Sequence, residues 1–479
     1  MADEQGQQDK PNIVLILADD LGYGDVQCLN PKWGKIPTPN IDRLAAQGMT
    51  FTDAHSNSSV CTPTRYGLLT GRYSWRTRLQ EGVLPNTRQP LIAKDRLTLA
   101  GMFKKLGYDT GAVGKWHLGW NCRYKADGSL DPTQPIGEGP ITRGFDWYFG
   151  TLFDPGCFME NDRLIGAESL IRAEKGKCAF ARTAVPDWQD EDMLPTFTNK
   201  AREYIRRQAG KKRPFFLYLA MTSPHWPIVP TPQWRGKSGL GAYGDFVMET
   251  DAMVGRDLAA VEETGIADNT LVLFTSDNGC TPGHNVASGM EKQGHYPSAN
   301  MRGHKSDAWD GGHRIPLMVR WPGMVKPGSA CGQLVCLNDL MATFAAATDF
   351  ALPHDAAEDS VNFLSLLQGG HQPTRSALVH HSIAGKFAIR DGQWKLILCP
   401  GSGGWSAPKD AATRKQKRPA VQLFNMDADI GERQNLQAQH PEIVQRLTAE
   451  LRQIVEDGRS TPGPKQKNDA AVDIFKKRQ

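Results

Sequence analysis

Long apolar runs are missing from this chain of 479 residues; the longest, Ile13–Ala18, falls far short of the roughly 20 residues a bilayer span needs. A helical membrane span is therefore excluded. Cysteine is scarce: nine residues, scattered, with no Cys-x-x-Cys or Cys/His cluster at zinc-site spacing. Neither a disulfide scaffold nor a structural zinc site is expected, and the odd count leaves at least one thiol outside any intramolecular pairing. Neither charge dominates. Lys+Arg number 56 against 52 Asp+Glu, and a net charge of +4 is too even to suggest nucleic-acid binding. The opening Met-Ala-Asp-Glu-Gln-Gly lacks the apolar core of a secretory signal, so either a cytosolic protein or a replaced leader is expected. What is present is an ordinary globular composition, 39% hydrophobic and 23% charged, with 48 Gly and 31 Pro between recurring apolar runs. Disorder of the whole chain is excluded.

The length exceeds what one hydrophobic core usually holds, which predicts a large domain and a smaller one. Short β-rich runs at Asn12–Ala18, Asp109–Val113, Phe215–Met221, Leu271–Thr275 and Ile315–Trp321 read as buried strands. Helical spacing marks Ile41–Gln47, Leu97–Leu106 and Leu194–Gln208. This alternation predicts an α/β fold with a large, mostly parallel sheet flanked by helices. Near residue 371 the style changes. Ala377–His381, Phe387–Arg390, Trp394–Cys399 and Val421–Phe424 read as antiparallel strands, and Pro441–Val455 as one amphipathic helix. The expected division is a large α/β domain over 1–370 and a smaller C-terminal α+β domain over 371–479. Lys409–Arg418 reads as a basic loop and Gly458–Gln479 as a poorly ordered polar tail.

Polar residues directly follow two of the strands. Asp19-Asp20 ends the first, and Ser276-Asp277-Asn278-Gly279 follows Leu271–Thr275. In an open parallel sheet ligands gather at the carboxyl ends of strands. Three carboxylates and an amide oxygen form a hard ligand set suited to Ca²⁺ or Mg²⁺. Each pair alone would equally serve as a cap or turn.

Further blocks join them: Cys61-Thr62-Pro63-Thr64-Arg65 with Leu69-Thr70-Gly71-Arg72, and Gly114-Lys115-Trp116-His117-Leu118-Gly119. Met221-Thr222-Ser223-Pro224-His225 places a histidine after a strand, and Gly303-His304-Lys305 precedes Asp310-Gly311-Gly312-His313-Arg314-Ile315-Pro316. Lys115 and His117, two apart, point to one side of an extended segment. In this order the blocks resemble the type I, formylglycine-dependent sulfatases of the arylsulfatase and N-acetylgalactosamine-6-sulfatase kind. Asp310 stands where that family more usually carries glutamate.

The resemblance implies an alkaline-phosphatase-like fold and a sulfuric ester hydrolase. It implies that Cys61 is oxidised by a formylglycine-generating or anaerobic maturation enzyme, and that the hydrated aldehyde attacks sulfur. Asp19, Asp20, Asp277 and Asn278 then resemble ligands of one Ca²⁺, with residue 61 completing the shell. Arg65 would favour the ionised nucleophile, Lys115 and Lys305 would hold sulfate oxygens, His225 would act as acid and His117 as base. The stretch Tyr73–Leu79 and the block Lys305–Trp309 resemble sulfatases that remove 6-sulfate from galactose or N-acetylgalactosamine, so a sulfated carbohydrate is the expected partner. Asp307 and His313 are the nominated sugar-reading residues, with Trp75 and Trp309 as stacking faces or, equally, core. Export to the periplasm or beyond is implied by resemblance alone. The alternatives are a phosphonate or phosphate monoester hydrolase of the same superfamily and a catalytically silent protein that binds sulfated glycans.

Overall fold

The structure, a computed structural model, describes residues 10–85, 89–127, 130–174 and 176–476. A ten-stranded sheet runs in the spatial order Ser329–Cys331, Met49–Phe51, Leu317–Arg320, Thr270–Ser276, Asn12–Asp19, Phe215–Pro224, Asp109–Gly114, Trp147–Thr151, Phe158–Glu160, Arg163–Leu164. The five strands from Thr270–Ser276 to Trp147–Thr151 are all parallel. Outside them Leu317–Arg320 and Phe158–Glu160 pair antiparallel, so the expected mostly parallel sheet carries antiparallel strands on both sides of its parallel centre. The expected strand Ile315–Trp321 is thus real but shorter, and it runs against its neighbour.

Alternation along the central strand explains why it reads as a continuous apolar run. Ile13, Leu15 and Leu17 enter one hydrophobic core; Val14, Ile16 and Ala18 enter another on the opposite face. Helices Pro39–Gln47, Met193–Ala209 and Ala242–Glu263 contribute to the second core, whereas Leu99–Lys105 packs into the first.

A separate antiparallel sheet, Ala377–His381, Phe387–Asp391, Trp394–Ile397 and Gln422–Asn425, is covered by helix Pro441–Glu456 through Leu447, Leu451 and Ile454. Its core also takes in Tyr73 and Trp75 from the first part of the chain. Two local expectations fail. Asp410–Lys415 within the supposed basic loop is a helical turn, and residues 458–476, though largely at the surface, are tied to the rest of the chain at several points. Arg72 binds Asp469 at 3.0 Å, Arg76 binds Asn468 at 2.9 Å, and Ile474 is buried in the third core. These partners lie nearly 400 positions apart, beyond the reach of local pattern reading.

None of the nine cysteines is joined in a disulfide. Among the described residues no helix is long and apolar enough to cross a membrane.

Candidate active site

Four central parallel strands end at one edge of the sheet, and each delivers site residues there. Asn12–Asp19 ends in Asp19 and Asp20, Thr270–Ser276 runs into Asp277 and Asn278, Asp109–Gly114 into Lys115, and Phe215–Pro224 into His225. Gly114 makes this possible. Its φ is +99°, and a Cβ there would lie 1.9 Å from the Ala220 carbonyl of the neighbouring strand. The close approach lets the Lys115 amide donate to that carbonyl at 2.8 Å while the side chain turns into the site. Asp20 also adopts positive φ, +67°, which directs its carboxylate back over the strand ends.

Cys61 opens helix Cys61–Thr70, with Val60 as the N-cap, and is buried at the floor of a cavity of about 290 Å³. Lys115, His117, His225 and Lys305 line the same cavity. Atoms of Asp19, Cys61 and Asp277 lie within 4.8 Å of one another, as do those of Asp19, Asp20 and His225. Arg65, one turn along the helix, lies beneath this floor. Its Nε and Nη2 donate to Asp277 Oδ2 at 3.0 and 2.8 Å, and Nη1 to the Lys115 carbonyl at 2.9 Å. Arg65 therefore positions Asp277 and the Lys115 backbone instead of facing the cavity.

The carboxylate cluster has the chemistry of a cation site. Asp19 Oδ1 and Asn278 Oδ1 are buried without a hydrogen-bond partner, an arrangement that costs free energy unless something else satisfies the oxygens. Burial and the adjacent Asp19 carboxylate push the Asp277 acid well above its ordinary range, the mark of like charges crowded together. Asn278 Nδ2 donates to Asp20 Oδ1 at 2.8 Å, which turns the Asn278 oxygen the other way. Three acids and an amide oxygen thus fit a hard divalent ion.

Two lysines balance the acids from the cavity side. Lys115 Nζ lies 2.6 Å from Asp19 Oδ2, and Lys305 Nζ 2.7 Å from Asp20. Burial alone would lower the Lys305 ammonium, but Asp20 outweighs it and the net shift is upward. Burial and then Lys115 hold His117 well below the ordinary imidazole value, so its ring is neutral. His225, half-buried at the mouth, is pulled down to about 4 by burial and Lys305; its Nε2 lies 3.8 Å from Asp20 Oδ2.

Ten of the twelve residues singled out in the sequence converge here. Asp307 and His313 do not. Asp307 is fully buried and accepts from the His304 amide at 2.9 Å and the Ser406 amide at 3.1 Å, so no sugar reaches it. His313 is buried with its ring stacked on His380, centroids 3.7 Å apart, and its Nε2 lies 3.1 Å from Lys395 Nζ. Asp310, the departure from the family pattern, is likewise buried and pairs with Lys395 at 2.7 Å. Trp75 and Trp309 are core residues, 0% and 1% exposed. The aromatic groups overlooked in the sequence are Phe153, Phe180, Trp226 and Trp405, the last lining the cavity from the C-terminal part of the chain. The only sequence signal of Trp405 is a lone tryptophan in the small-residue loop Gly401-Ser402-Gly403-Gly404-Trp405-Ser406.

A buried residue at a helix start is seated against acids at the carboxyl edge of a parallel sheet core, with two lysines above, in a fold of the alkaline-phosphatase-like kind. A phosphonate monoester hydrolase of Agrobacterium radiobacter shares this fold at 19% identity and TM-score 0.60, over 93% of this chain and 95% of that one. The sulfatase family profile matches residues 11–350, and the chain belongs to that family. It is 34% identical to an N-acetylgalactosamine-6-O-sulfatase of Bacteroides thetaiotaomicron, covering 93% of each chain. It is 32% identical to human arylsulfatase A over 95% of this chain and 90% of the relative. A solved Bacteroides thetaiotaomicron chain, described under the metabolism of multiple glycosaminoglycans, superposes with TM-score 0.82 at 33% identity, covering 93% of this chain and 99% of that one. This protein is a sulfuric ester hydrolase.

Proposed function

We propose that this sulfatase removes the 6-O-sulfate of a galactose or N-acetylgalactosamine unit in a sulfated carbohydrate, with residue 61 as formylglycine and one calcium ion. The observation that carries the mechanism is Cys61 at the cavity floor, within 4.8 Å of Asp19 and Asp277 and below Lys115 and Lys305. The substrate follows the Bacteroides thetaiotaomicron relative and its activity on N-acetylgalactosamine 6-sulfate. Formylglycine supplies a hydrated aldehyde as nucleophile, a chemistry a thiol lacks. Calcium, held by Asp19, Asp20, Asp277 and Asn278, supplies positive charge beside that nucleophile.

The chain's own residues do the rest. Lys115 and Lys305 hold the sulfate oxygens and offset the charge that builds during cleavage, a contribution commonly worth 100- to 1,000-fold in rate for one donor. His225 donates a proton from Nε2 to the departing alcohol. Burial and Lys305 disfavour its protonated form, and the negative charge of bound sulfate favours it. His117 accepts a proton as the base that releases sulfate. Oxidation of Cys61 would require a separate maturation enzyme, and the resemblance to sulfatases supports a location in the periplasm or outside the cell.

Sulfate release from 2-, 4- and 6-sulfated monosaccharides tests the substrate, and release from the 4- or 2-isomers only would overturn it. Cys61→Ala should abolish turnover on every ester while the protein stays folded. Intact mass should show residue 61 as the aldehyde or its hydrate in active material. Full turnover by Cys61→Ala, or by protein carrying an unmodified thiol, would refute the nucleophile assignment.

A further inference from the structure

Exposed large apolar side chains cluster around the catalytic cavity. Of eight such residues among those described, Val83, Phe180, Trp226 and Trp405 all line it. Apolar surface gathered at one mouth marks a place where a ligand covers it. Two of the aromatics are already engaged: Phe180 packs edge-on to Trp226 at 4.8 Å, and Trp226 lies parallel to His284 at 5.8 Å. Trp405 is 44% exposed, and among the described residues no aromatic ring or cation packs on its indole.

The Trp405 loop is nevertheless held firmly, by the residues that follow Lys305. The Trp405 amide donates to Ser306 Oγ at 2.9 Å and the Ser406 amide to Asp307 Oδ1 at 3.1 Å. Gly404 lies so close that a Cβ would meet the Ser306 carbonyl at 2.3 Å. Consecutive residues thus place Lys305 on a sulfate oxygen and Trp405 at the rim above it. The buried acid Asp307 serves this loop, not a sugar hydroxyl.

Around the rim the walls are apolar, with Leu84, Pro85 and Ile383 beside the four exposed residues, so they suit a ring that presents C–H groups. In a galacto-configured hexose the axial O4 lies on one face, leaving the C–H groups at carbons 3, 4 and 5 contiguous on the other. A gluco ring carries its O4 equatorially and offers a less continuous face. We infer that Trp405 stacks on the C–H face of the galacto-configured ring that bears the sulfate and is a specificity-determining residue. Asp307 is a positioning residue that acts through it. The inference rests on the carbohydrate reading above.

The test compares N-acetylgalactosamine 6-sulfate, N-acetylglucosamine 6-sulfate and ethyl sulfate, which has no ring. Trp405→Ala should raise KM for the galacto sugar about 5- to 10-fold with kcat changed less than about twofold, and narrow its preference over the gluco sugar. Trp405→Phe should keep KM within about threefold, and Trp405→Ala should cost several-fold less on ethyl sulfate than on the galacto sugar. Asp307→Ala should raise KM in the same way but add nothing in the Trp405→Ala background. An unchanged galacto KM in Trp405→Ala, or an equal loss on all three esters, overturns the stacking role. If the wild-type enzyme releases sulfate from neither sugar yet hydrolyses ethyl sulfate, the carbohydrate reading falls as well.

Discussion

His117 Nε2 lies 2.9 Å from the Leu84 carbonyl, which can only accept. The single proton of the neutral ring therefore sits on Nε2, and Nδ1, buried without a partner, keeps its lone pair. That tautomer is a base, and it makes a specific prediction for the slow step. His117→Ala should lower kcat by about 100- to 10,000-fold, with a pre-steady-state burst of about one equivalent of alcohol before turnover stalls. Loss of the burst along with kcat would place His117 in the first half of the reaction instead. Residue type alone suggested acid–base work for both His117 and His225. Which nitrogen holds a proton followed only from the carbonyl that faces it.

Among the elements, the strand ends matter more than the strands. Asp109–Gly114 brings Lys115 into the site only because Gly114 has no Cβ to strike the Ala220 carbonyl. Gly114→Ala combines an unfavourable positive φ with a steric clash at the strand junction, a cost of about 1–3 kcal/mol. Activity should fall more than stability, because displacement of the Lys115 amide tilts the ammonium away from sulfate. Thermal melting beside kcat/KM checks this, and unchanged kcat/KM with a lowered Tm would contradict it. Helix Cys61–Thr70 is fixed in the same manner, by Arg65 bound to Asp277 across the floor.

At the scale of the whole molecule, the C-terminal sheet and the catalytic part share a core. Tyr73, Trp75 and Arg76 belong to its seam: Arg76 binds Asp359 at 2.8 Å, lies 4.4 Å from the Trp75 ring centre and meets Asn468 of the tail. Deleting residues 467–479 removes two partners of Arg72, two of Arg76 (the Asn468 side chain and the Asp469 amide) and the buried Ile474. Stability should drop by about 2–4 kcal/mol, readable in urea unfolding. The seam also titrates. His381 is buried, and burial followed by Lys476 lowers it to about 3, so it stays neutral in the fold. The unfolded chain takes up that proton below pH of about 6.5, and stability is therefore lost as pH falls from there towards the folded value. His381→Phe should remove up to about 1.4 kcal/mol per pH unit of that slope between pH 6 and 4. Equal slopes in the two proteins would show that His381 does not stay neutral.

The sequence by itself determined the central strands, the acids that follow them and the order of the catalytic blocks, because these depend on local apolar alternation and on residues adjacent to it. The antiparallel outer strands, the anchored tail and the helical turn at Asp410–Lys415 needed partners distant in the chain. Burial is likewise a property of the fold: Asp307, His313, Trp75 and Trp309 have the chemistry of sugar-binding residues, yet tertiary packing closes over them and leaves Trp405 at the rim.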